Sequence, residues 1–318
     1  MKSRVSMSYV ERNDVYMENR NYYTPAEIAA NTIQISKNKV NLSFDAQLLL
    51  GILAGAFIAF ASQGSNMAAF NLFAKPETYG LGKALAGAIF GTGLMLVILA
   101  GGELFTGNTL ISIGVLQGEI QLSKMLNNWF FVYLGNFVGS LLIAYMMVHS
   151  GLFNSAANEL GGVTIRIASY KVGLSFMPAF YLGVMCNWLV CLAVWMSYGA
   201  KDVVGKIFAI FFPIWLFITS GFEHSIANMY YIPAGIMAKA NQDWVAASHL
   251  DLSTLDALNW GSFFTKNLIP VTLGNIVGGV LFVGAIYWFV YLKKNDTKKA
   301  FRKRNELERV KSIHKSIS

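Results

Sequence analysis

The chain has 318 residues, of which 55% are hydrophobic and only 13% are charged, and its mean hydropathy is +0.47. The charged share is about half that of a typical soluble domain, and a soluble fold cannot hide so much apolar surface. This composition argues against a disordered chain, a nucleic-acid-binding protein and a secreted disulfide scaffold. It predicts an integral membrane protein, in which the position of the +8 formal charge matters more than its size.

The first element that the sequence predicts is a short helix ahead of the membrane region. Thr24, Pro25 and Glu27 have the spacing of a capping box, with Thr24 at the N-cap and Pro25 at the first helical position. Isoleucines follow, so this helix either lies on the cytoplasmic face as an amphipathic helix or serves as a spacer. We divide the chain into an N-terminal segment (1–43), a membrane domain (44–292) and a basic tail (293–318).

Six apolar stretches are long enough to cross the hydrocarbon core of a bilayer, which takes roughly 20 helical residues. The predicted spans cover residues 44–64, 82–100, 126–148, 174–199, 206–222 and 268–292. The second and the fifth each end at a polar, glycine-bearing stretch, and a short apolar piece follows each of them, residues 109–116 and 225–238. We interpret both as interrupted helices.

Lys and Arg are distributed unevenly between the two sides of the membrane. If both termini are cytoplasmic, 19 of the 25 basic residues lie inside and six lie outside. That is a strong positive-inside bias for an even number of spans. The sequence therefore predicts a multi-pass protein with both termini in the cytoplasm, and its basic tail fits this topology and an attraction to anionic lipid.

A repeat relates the third span to the sixth. Residues 128–142 read NWFFVYLGNFVGSLL and residues 267–281 read NLIPVTLGNIVGGVL, with eight of 15 positions identical. Each copy follows an interrupted span, with the interruption at residues 102–106 in the first half and 221–225 in the second. Three spans per half is an odd number, so the halves must insert in opposite orientations. The sequence predicts a 3+3 inverted repeat whose two broken helices meet near the midplane.

Broken helices inside a membrane need polar surroundings, because lipid cannot pair the freed N–H and C=O groups. Two breaks that meet predict a solute path whose half-helix N-termini favour an anion; packing defects bridged by water are the alternative. His224 is the histidine at membrane depth, and its imidazole could donate a hydrogen bond or a proton to a weak-acid anion or serve only as a structural link. Thr106 offers a hydroxyl in the first break. Asn228 could orient the ring or cap the next half-helix.

Three further polar residues have two interpretations each. Glu103 and Glu223 occupy matching positions in the breaks, and we favour a structural role, in which each accepts the free N–H groups of its own helix, over ion coordination. Lys171 is either a snorkelling anchor or a charge that concentrates anions in a vestibule. Asn187 lies inside the fourth span.

Apolar side chains flank these polar positions. Phe90 and Leu94 are one helical turn apart, Leu104 precedes Thr106, and Phe217 lies seven residues before His224. At such spacing, apolar residues usually form core packing. In a pore they would form dewetted constrictions that exclude hydrated ions, and spacing alone leaves both interpretations open.

These segments resemble the formate/nitrite transporter family. The resemblance is carried by residues 101–108 (GGELFTGN), 187–197 (NWLVCLAVWMS), 220–228 (SGFEHSIAN) and 267–279 (NLIPVTLGNIVGG), and it extends from about residue 24 to residue 293. It implies an all-α, aquaporin-like protomer of six transmembrane helices with one pore, assembled as a homopentamer. It also implies passage of small monovalent anions of weak acids, such as formate, nitrite and hydrosulfide.

The resemblance also implies roles for individual residues. It makes Thr106 the threonine of the first break, His224 the central histidine and Asn228 the asparagine that follows it. It assigns the remaining positions to constrictions and to the path: Leu94 and Leu104 on the cytoplasmic side, Phe90 and Phe217 on the periplasmic side, Lys171 in the vestibule, and Asn187 and Val190 in the fourth span.

We therefore expect a channel or transporter of the inner (plasma) membrane for small weak-acid anions, with formate first, and with protons as a possible second partner through His224. Nitrite or hydrosulfide are alternatives, and a neutral-solute channel is disfavoured because the chain lacks paired Asn-Pro-Ala motifs. A membrane enzyme or haem protein is disfavoured too, because one deep histidine and the off-face Cys186 and Cys191 do not form a metal or haem site. We expect no cofactor, no metal and no nucleic-acid partner.

Overall fold

The computed structural model describes residues 20–293, and helices supply the regular structure of that range. We number the helices in chain order: α1 (Pro25–Val40), α2 (Phe44–Leu72), α3 (Pro76–Gly101), α4 (Phe105–Leu116), α5 (Leu122–His149), α6 (Glu159–Gly173), α7 (Phe176–Gly199), α8 (Val203–Thr219), α9 (Ser225–Ala238), α10 (Gln242–Ser248), α11 (Leu252–Ala257) and α12 (Trp260–Lys293). Beyond Lys293, the predicted basic tail lies outside the described residues.

Five of these helices, α2, α3, α5, α7 and α12, are long and apolar enough to cross a bilayer. Helices α4 and α8 are also apolar but shorter, and α8 has 17 residues. The chain is thus an all-helical membrane protein over the described range. The expected number of six spans rests on reading α8 and α9 as one interrupted span, and it stays a prediction.

Helix α1 begins with the capping box that the sequence predicts. The backbone N–H of Thr24 donates to the Glu27 carboxylate at 2.6 Å, and the Thr24 side chain accepts from the Glu27 N–H. The capping box is confirmed. Ile28 and Ala29 are buried, so the helix packs against the membrane domain through its apolar face.

Several elements differ from the sequence-based expectation. Helix α2 continues to Leu72 rather than ending at residue 64, α3 begins at Pro76 rather than at residue 82, and α10 and α11 lie where no helix was expected. Helix α6 was not expected, because its share of polar residues is too high for an apolar span. Helix α12 begins at Trp260, eight residues before the predicted start at residue 268. The Asn259 side chain accepts from the Ser262 N–H at 3.0 Å and fixes this earlier start, and Phe263 is fully buried.

Glycines bring the long helices into backbone contact in both halves. A Cβ placed on Gly139 of α5 would lie 2.0 Å from the carbonyl oxygen of Ile52 in α2. A Cβ on Gly274 of α12 would lie 2.2 Å from the carbonyl oxygen of Phe180 in α7. Such close approach is the usual way in which membrane helices associate, and the glycines of the sequence repeat serve it in each half.

The chain leaves helical geometry at both predicted breaks. Helix α3 ends at Gly101, whose φ is +99°, and an extended segment then leads to α4. Helix α8 ends at Thr219, and Gly221, with φ of +77°, starts the extended segment that leads to α9. Both glycines adopt the left-handed region that other residues avoid, so each break is fixed by a glycine.

Candidate functional site

A buried carboxylate anchors the first break. Lys39 of α1 donates to Glu103 Oε1 at 2.7 Å, and Asn108 of α4 donates to Glu103 Oε2 at 2.6 Å. Asn108 also donates to the side-chain oxygen of Asn128 in α5 at 2.9 Å. The negative charge of Glu103 is therefore neutralised inside the protein, and the break is tied to α1 and α5.

The second break repeats this arrangement. Lys171 of α6 donates to Glu223 Oε1 at 2.7 Å, and Asn228 of α9 donates to Glu223 Oε2 at 2.7 Å. Asn228 also donates to the side-chain oxygen of Asn267 in α12 at 2.7 Å. Each half of the chain thus holds its break with one lysine, one glutamate and two asparagines.

A second pair of asparagines receives the free N–H groups where the half-helices begin. Asn136 Oδ1 accepts from the Phe105 N–H at 2.9 Å, and Asn275 Oδ1 accepts from the Ser225 N–H at 2.9 Å. The sequence analysis assigned this task to the glutamates. The glutamates instead accept from lysine and asparagine side chains, because an ammonium is a stronger partner for a buried carboxylate than a neutral amide.

Lys39 was missed by the sequence analysis, although its relation to α1 is the same as that of Lys171 to α6. Burial alone would lower the pKa of Lys39, but the Glu103 carboxylate outweighs burial and holds this pKa above its ordinary value. The charged form of Lys39 is therefore the stable one. Its backbone carbonyl accepts from Asn128 at 3.2 Å, just as that of Lys171 accepts from Asn267 at 3.0 Å. This match exists only in the folded structure, so the sequence held no signal for Lys39.

Thr106 and His224 meet between the two breaks. Thr106 Oγ1 lies 3.0 Å from His224 Nε2, and both side chains are buried. His224 Nδ1 lies 3.1 Å from the Ala227 N–H, which can only donate, so Nδ1 accepts and carries no proton. In the neutral ring, Nε2 carries the hydrogen and donates it to the Thr106 hydroxyl. His224 therefore caps α9 with one nitrogen and presents the other to the centre.

The side-chain nitrogens of the two asparagines proposed for the path, Asn187 and Asn228, donate to the protein, whereas their side-chain oxygens are buried without a partner among the described residues. Asn187 Nδ2 donates to the Asn275 carbonyl at 2.7 Å and to the Thr106 carbonyl at 3.2 Å. Asn228, as described, donates to Glu223 and Asn267 rather than to the imidazole ring. These contacts hold the two half-helices in place, so both asparagines support the position of Thr106 and His224.

The apolar residues proposed as constrictions are all buried around this centre. The rings of Phe90 and Phe217 are 5.6 Å apart in a T-shaped arrangement, and the Phe217 ring is 6.0 Å from the imidazole of His224. The three aliphatic members are Leu94, Leu104 and Val190. Phe90 and Phe217 thus cover one side of the polar centre with aromatic surface.

Two cavities open near the breaks. The first, here called the Lys39 cavity, has a volume of about 500 Å³ and is lined by Leu94, Leu104, Glu103 and Lys206, among others. The second, the Lys171 cavity, has a volume of about 310 Å³, and its walls include Lys83, Arg166, Phe222 and Glu223.

The order of residues along α3 shows what separates the cavities. Ala86 lines the Lys171 cavity and Leu94 lines the Lys39 cavity, whereas Phe90 lies one turn from each and lines neither. Helix α8 runs the other way, since Lys206 near its start lines the Lys39 cavity and Ile218 near its end lines the Lys171 cavity. The centre formed by Phe90, Phe217, His224 and Thr106 therefore lies between two cavities.

Comparison with known proteins assigns this architecture to a family. The sequence profile described as Formate/nitrite transporter matches residues 26–289, which is most of the chain. The chain belongs to the formate/nitrite transporter family. Members of this family are channels or transporters rather than enzymes, and the same holds for this chain.

Individual relatives agree with the family assignment. The chain is 37% identical over 287 residues to a probable formate transporter of Methanothermobacter thermautotrophicus, covering 86% of this chain and 98% of the relative. It is 40% identical over 252 residues to the formate channel FocA of Escherichia coli K12, covering 78% and 87%. A solved structure described as a pentameric formate channel with formate bound matches with a TM-score of 0.70 and 38% identity, covering 78% of this chain and 98% of that chain.

Proposed function

We propose that this protein carries formate across the plasma membrane, and that His224 and Thr106 hydrogen-bond the anion at the centre of its path. The observation that carries the proposal is the 3.0 Å contact between Thr106 and His224, which brings both breaks to one polar point between the two cavities. The relatives named as formate channels and transporters, at 37–40% identity, support formate as the substrate.

The proposal includes an inverted repeat of two three-span halves. Helices α3 and α8 occupy equivalent places in the repeat and run in opposite directions between the two cavities. The matching hydrogen bonds of Glu103 and Glu223 support the same relation. The bias of Lys and Arg places the Lys39 cavity and both termini on the cytoplasmic side.

Charged groups and apolar side chains have different functions along the proposed path. Glu103 and Glu223 are neutralised by their lysines, so they do not repel an anion, and the starts of α4 and α9 direct partial positive charge to the centre. Leu94 and Leu104 on one side, and Phe90 and Phe217 on the other, strip water from the anion and reject larger or divalent ions. Val190 completes this apolar lining on α7.

Protonation of the anion at the centre would remove most of the cost of crossing this apolar region. A bare charge costs several kcal/mol there, whereas a neutral acid largely avoids the cost. In the geometry described, the His224 Nε2–H and the Thr106 hydroxyl donate hydrogen bonds to the anion. The proton itself comes from the external solution, because the N–H of a neutral imidazole is not an acid near neutral pH. A lower external pH therefore speeds uptake, because more acid is available to form the neutral species.

The test is formate uptake into proteoliposomes as a function of external pH. We expect uptake by the wild type to rise as the pH falls. We expect His224→Asn to lower the rate by at least about tenfold, equivalent to ~1.4 kcal/mol of barrier, and to flatten the pH profile. The matched control is His149→Asn, because His149 is an exposed residue at the end of α5 whose side chain, among the described residues, contacts Tyr145.

Three results would contradict this proposal. Unchanged rates and pH dependence in His224→Asn would remove this residue from the mechanism. Nitrite or hydrosulfide flux that exceeds formate flux in the same vesicles would show that formate is not the preferred substrate. Rapid osmotic swelling with water or glycerol, without anion flux, would instead indicate a neutral-solute channel.

A further inference from the structure

Each of the two cavities contains one lysine that has no ion pair among residues 20–293. In the Lys171 cavity, Lys171 is paired with Glu223, and Arg166 is paired with Glu159 and donates to the Ala247 carbonyl at 2.9 Å. Lys83 lines the same cavity and makes no ion pair or side-chain hydrogen bond with any residue from 20 to 293. The net positive charge of this cavity therefore comes from Lys83.

The Lys39 cavity has the same composition. Lys39 is paired with Glu103 at 2.7 Å, and the ammonium of Lys206 has no ion pair or hydrogen bond within the described part of the chain. Lys83 lies near the start of α3 and Lys206 near the start of α8, the two helices that run in opposite directions. Each cavity thus combines one neutralised lysine with one uncompensated lysine.

The position of Lys83 distinguishes it from a lysine that anchors a helix in the headgroup region. Its Nζ lies 3.8 Å from the point that a Cβ on Gly221 would occupy, so the ammonium folds against the second break. Gly221 and Phe222 line the same cavity and lead to Phe217 at the centre. A snorkelling lysine would instead extend away from the helix toward the membrane surface.

We propose that Lys83 and Lys206 are the anion-recruiting residues of this channel, one for each cavity, and that they raise the local concentration of the small monovalent anion ahead of the constrictions. This inference rests on the proposed function. Lys39 and Lys171 contribute less to recruitment, because Glu103 and Glu223 cancel their charge at close range. An uncompensated charge in a cavity with low-dielectric walls concentrates counter-ions, and salt weakens the effect.

The experiment measures formate uptake against formate concentration in proteoliposomes at low ionic strength and again with added potassium gluconate. The variants are Lys83→Gln, Lys206→Gln and the double variant, with Lys83→Arg to restore the charge. Matched controls are Lys75→Gln, an exposed lysine at the N-cap of α3, and Lys124→Gln, on the surface of α5. Size-exclusion profiles of all variants confirm that folding is retained.

We expect each Gln variant to raise the half-saturating formate concentration by about three- to fivefold at low salt, with the maximal rate nearly unchanged. The double variant shows the Lys83 effect for formate supplied on the side of the Lys171 cavity and the Lys206 effect for formate supplied on the other side. Lys83→Arg remains close to the wild type, and gluconate brings all variants together. Half-saturation equal to that of the controls at every salt concentration would overturn the inference while leaving the proposed function intact. Absence of anion flux in the wild type would instead overturn the proposed function.

Discussion

At the scale of single residues, two carboxylates are stable inside the membrane domain because lysine and asparagine side chains surround them. The side chain of Glu223 is 2% exposed and that of Lys171 is 12% exposed. Removing one partner of a buried ion pair leaves the other charge uncompensated, which usually costs about 3–5 kcal/mol. Replacing both partners is much less costly.

The Glu223→Gln substitution would leave the Lys171 ammonium buried without its carboxylate partner. We expect it to lower the free energy of unfolding by about 3–5 kcal/mol and Lys171→Met in the same chain to restore much of the loss, as read from thermal unfolding in detergent. The control is Glu119→Gln, because Glu119 also bonds a lysine, Lys37, at 2.7 Å but its side chain is 49% exposed. We expect at most about 1 kcal/mol there. An equal loss in both variants would show that burial does not determine the effect.

Most of the central residues could be predicted from the sequence, because the breaks are polar residues within long apolar segments. Glu103, Glu223, Thr106 and His224 were found in this way. Lys39 was missed, because it lies outside the spans and only the fold brings it to Glu103.

The hydrogen-bonding roles of the asparagines could not be predicted from the sequence. Spacing alone does not show that Asn136 reaches the Phe105 N–H across 31 residues.

At the scale of helices, glycine contacts determine how closely α2 and α5 approach. The carbonyl oxygen of Ile52 occupies the space that a side chain on Gly139 would need, with only 2.0 Å to the Cβ position. Because the obstacle is backbone rather than a flexible side chain, the helices cannot adjust without separating. The repeat places an equivalent contact between α7 and α12.

We expect Gly139→Val to destabilise the protein by about 3 kcal/mol or more, because overpacking against backbone forces the helices apart. Thermal unfolding in detergent measures the effect. Gly80→Val is the matched control, since nothing lies within 4 Å of the Cβ position of Gly80 and it too lies inside a helix. A midpoint for Gly139→Val that equals that of the control would refute the backbone contact.

The long helices could be predicted from hydropathy, whereas α6 could not. Hydropathy detects helices that lipid surrounds, and α6 is held by other forces: the Arg166–Glu159 pair and the contact of Lys171 with Glu223. Its buried face includes Leu160 and Ile165. Tertiary contacts, rather than burial in lipid, therefore stabilise this helix.

At the scale of the whole molecule, large apolar side chains cover the outside of the helices. Phe130, Phe208 and Leu81 are each more than half exposed in the single chain, so lipid or neighbouring protomers must cover them. The solved structure described as a pentameric formate channel covers 78% of this chain, and the homopentamer expected from the sequence stays a prediction.

Native mass spectrometry from mild detergent tests this assembly. We expect a species of five times the 35.0 kDa protomer mass, together with bound lipid. The monomer alone at all detergent concentrations, with formate flux preserved in vesicles, would contradict the pentamer and leave the protomer as the transporting unit.

The matched clamps at Glu103 and Glu223 have a consequence for how the protein works. Each break is bonded to a helix ahead of its half and to a long helix behind it. Because each break is bonded on both sides, it does not move, and the solute is selected by a rigid site rather than by a mobile segment. Any opening and closing of the path must then occur at its two ends.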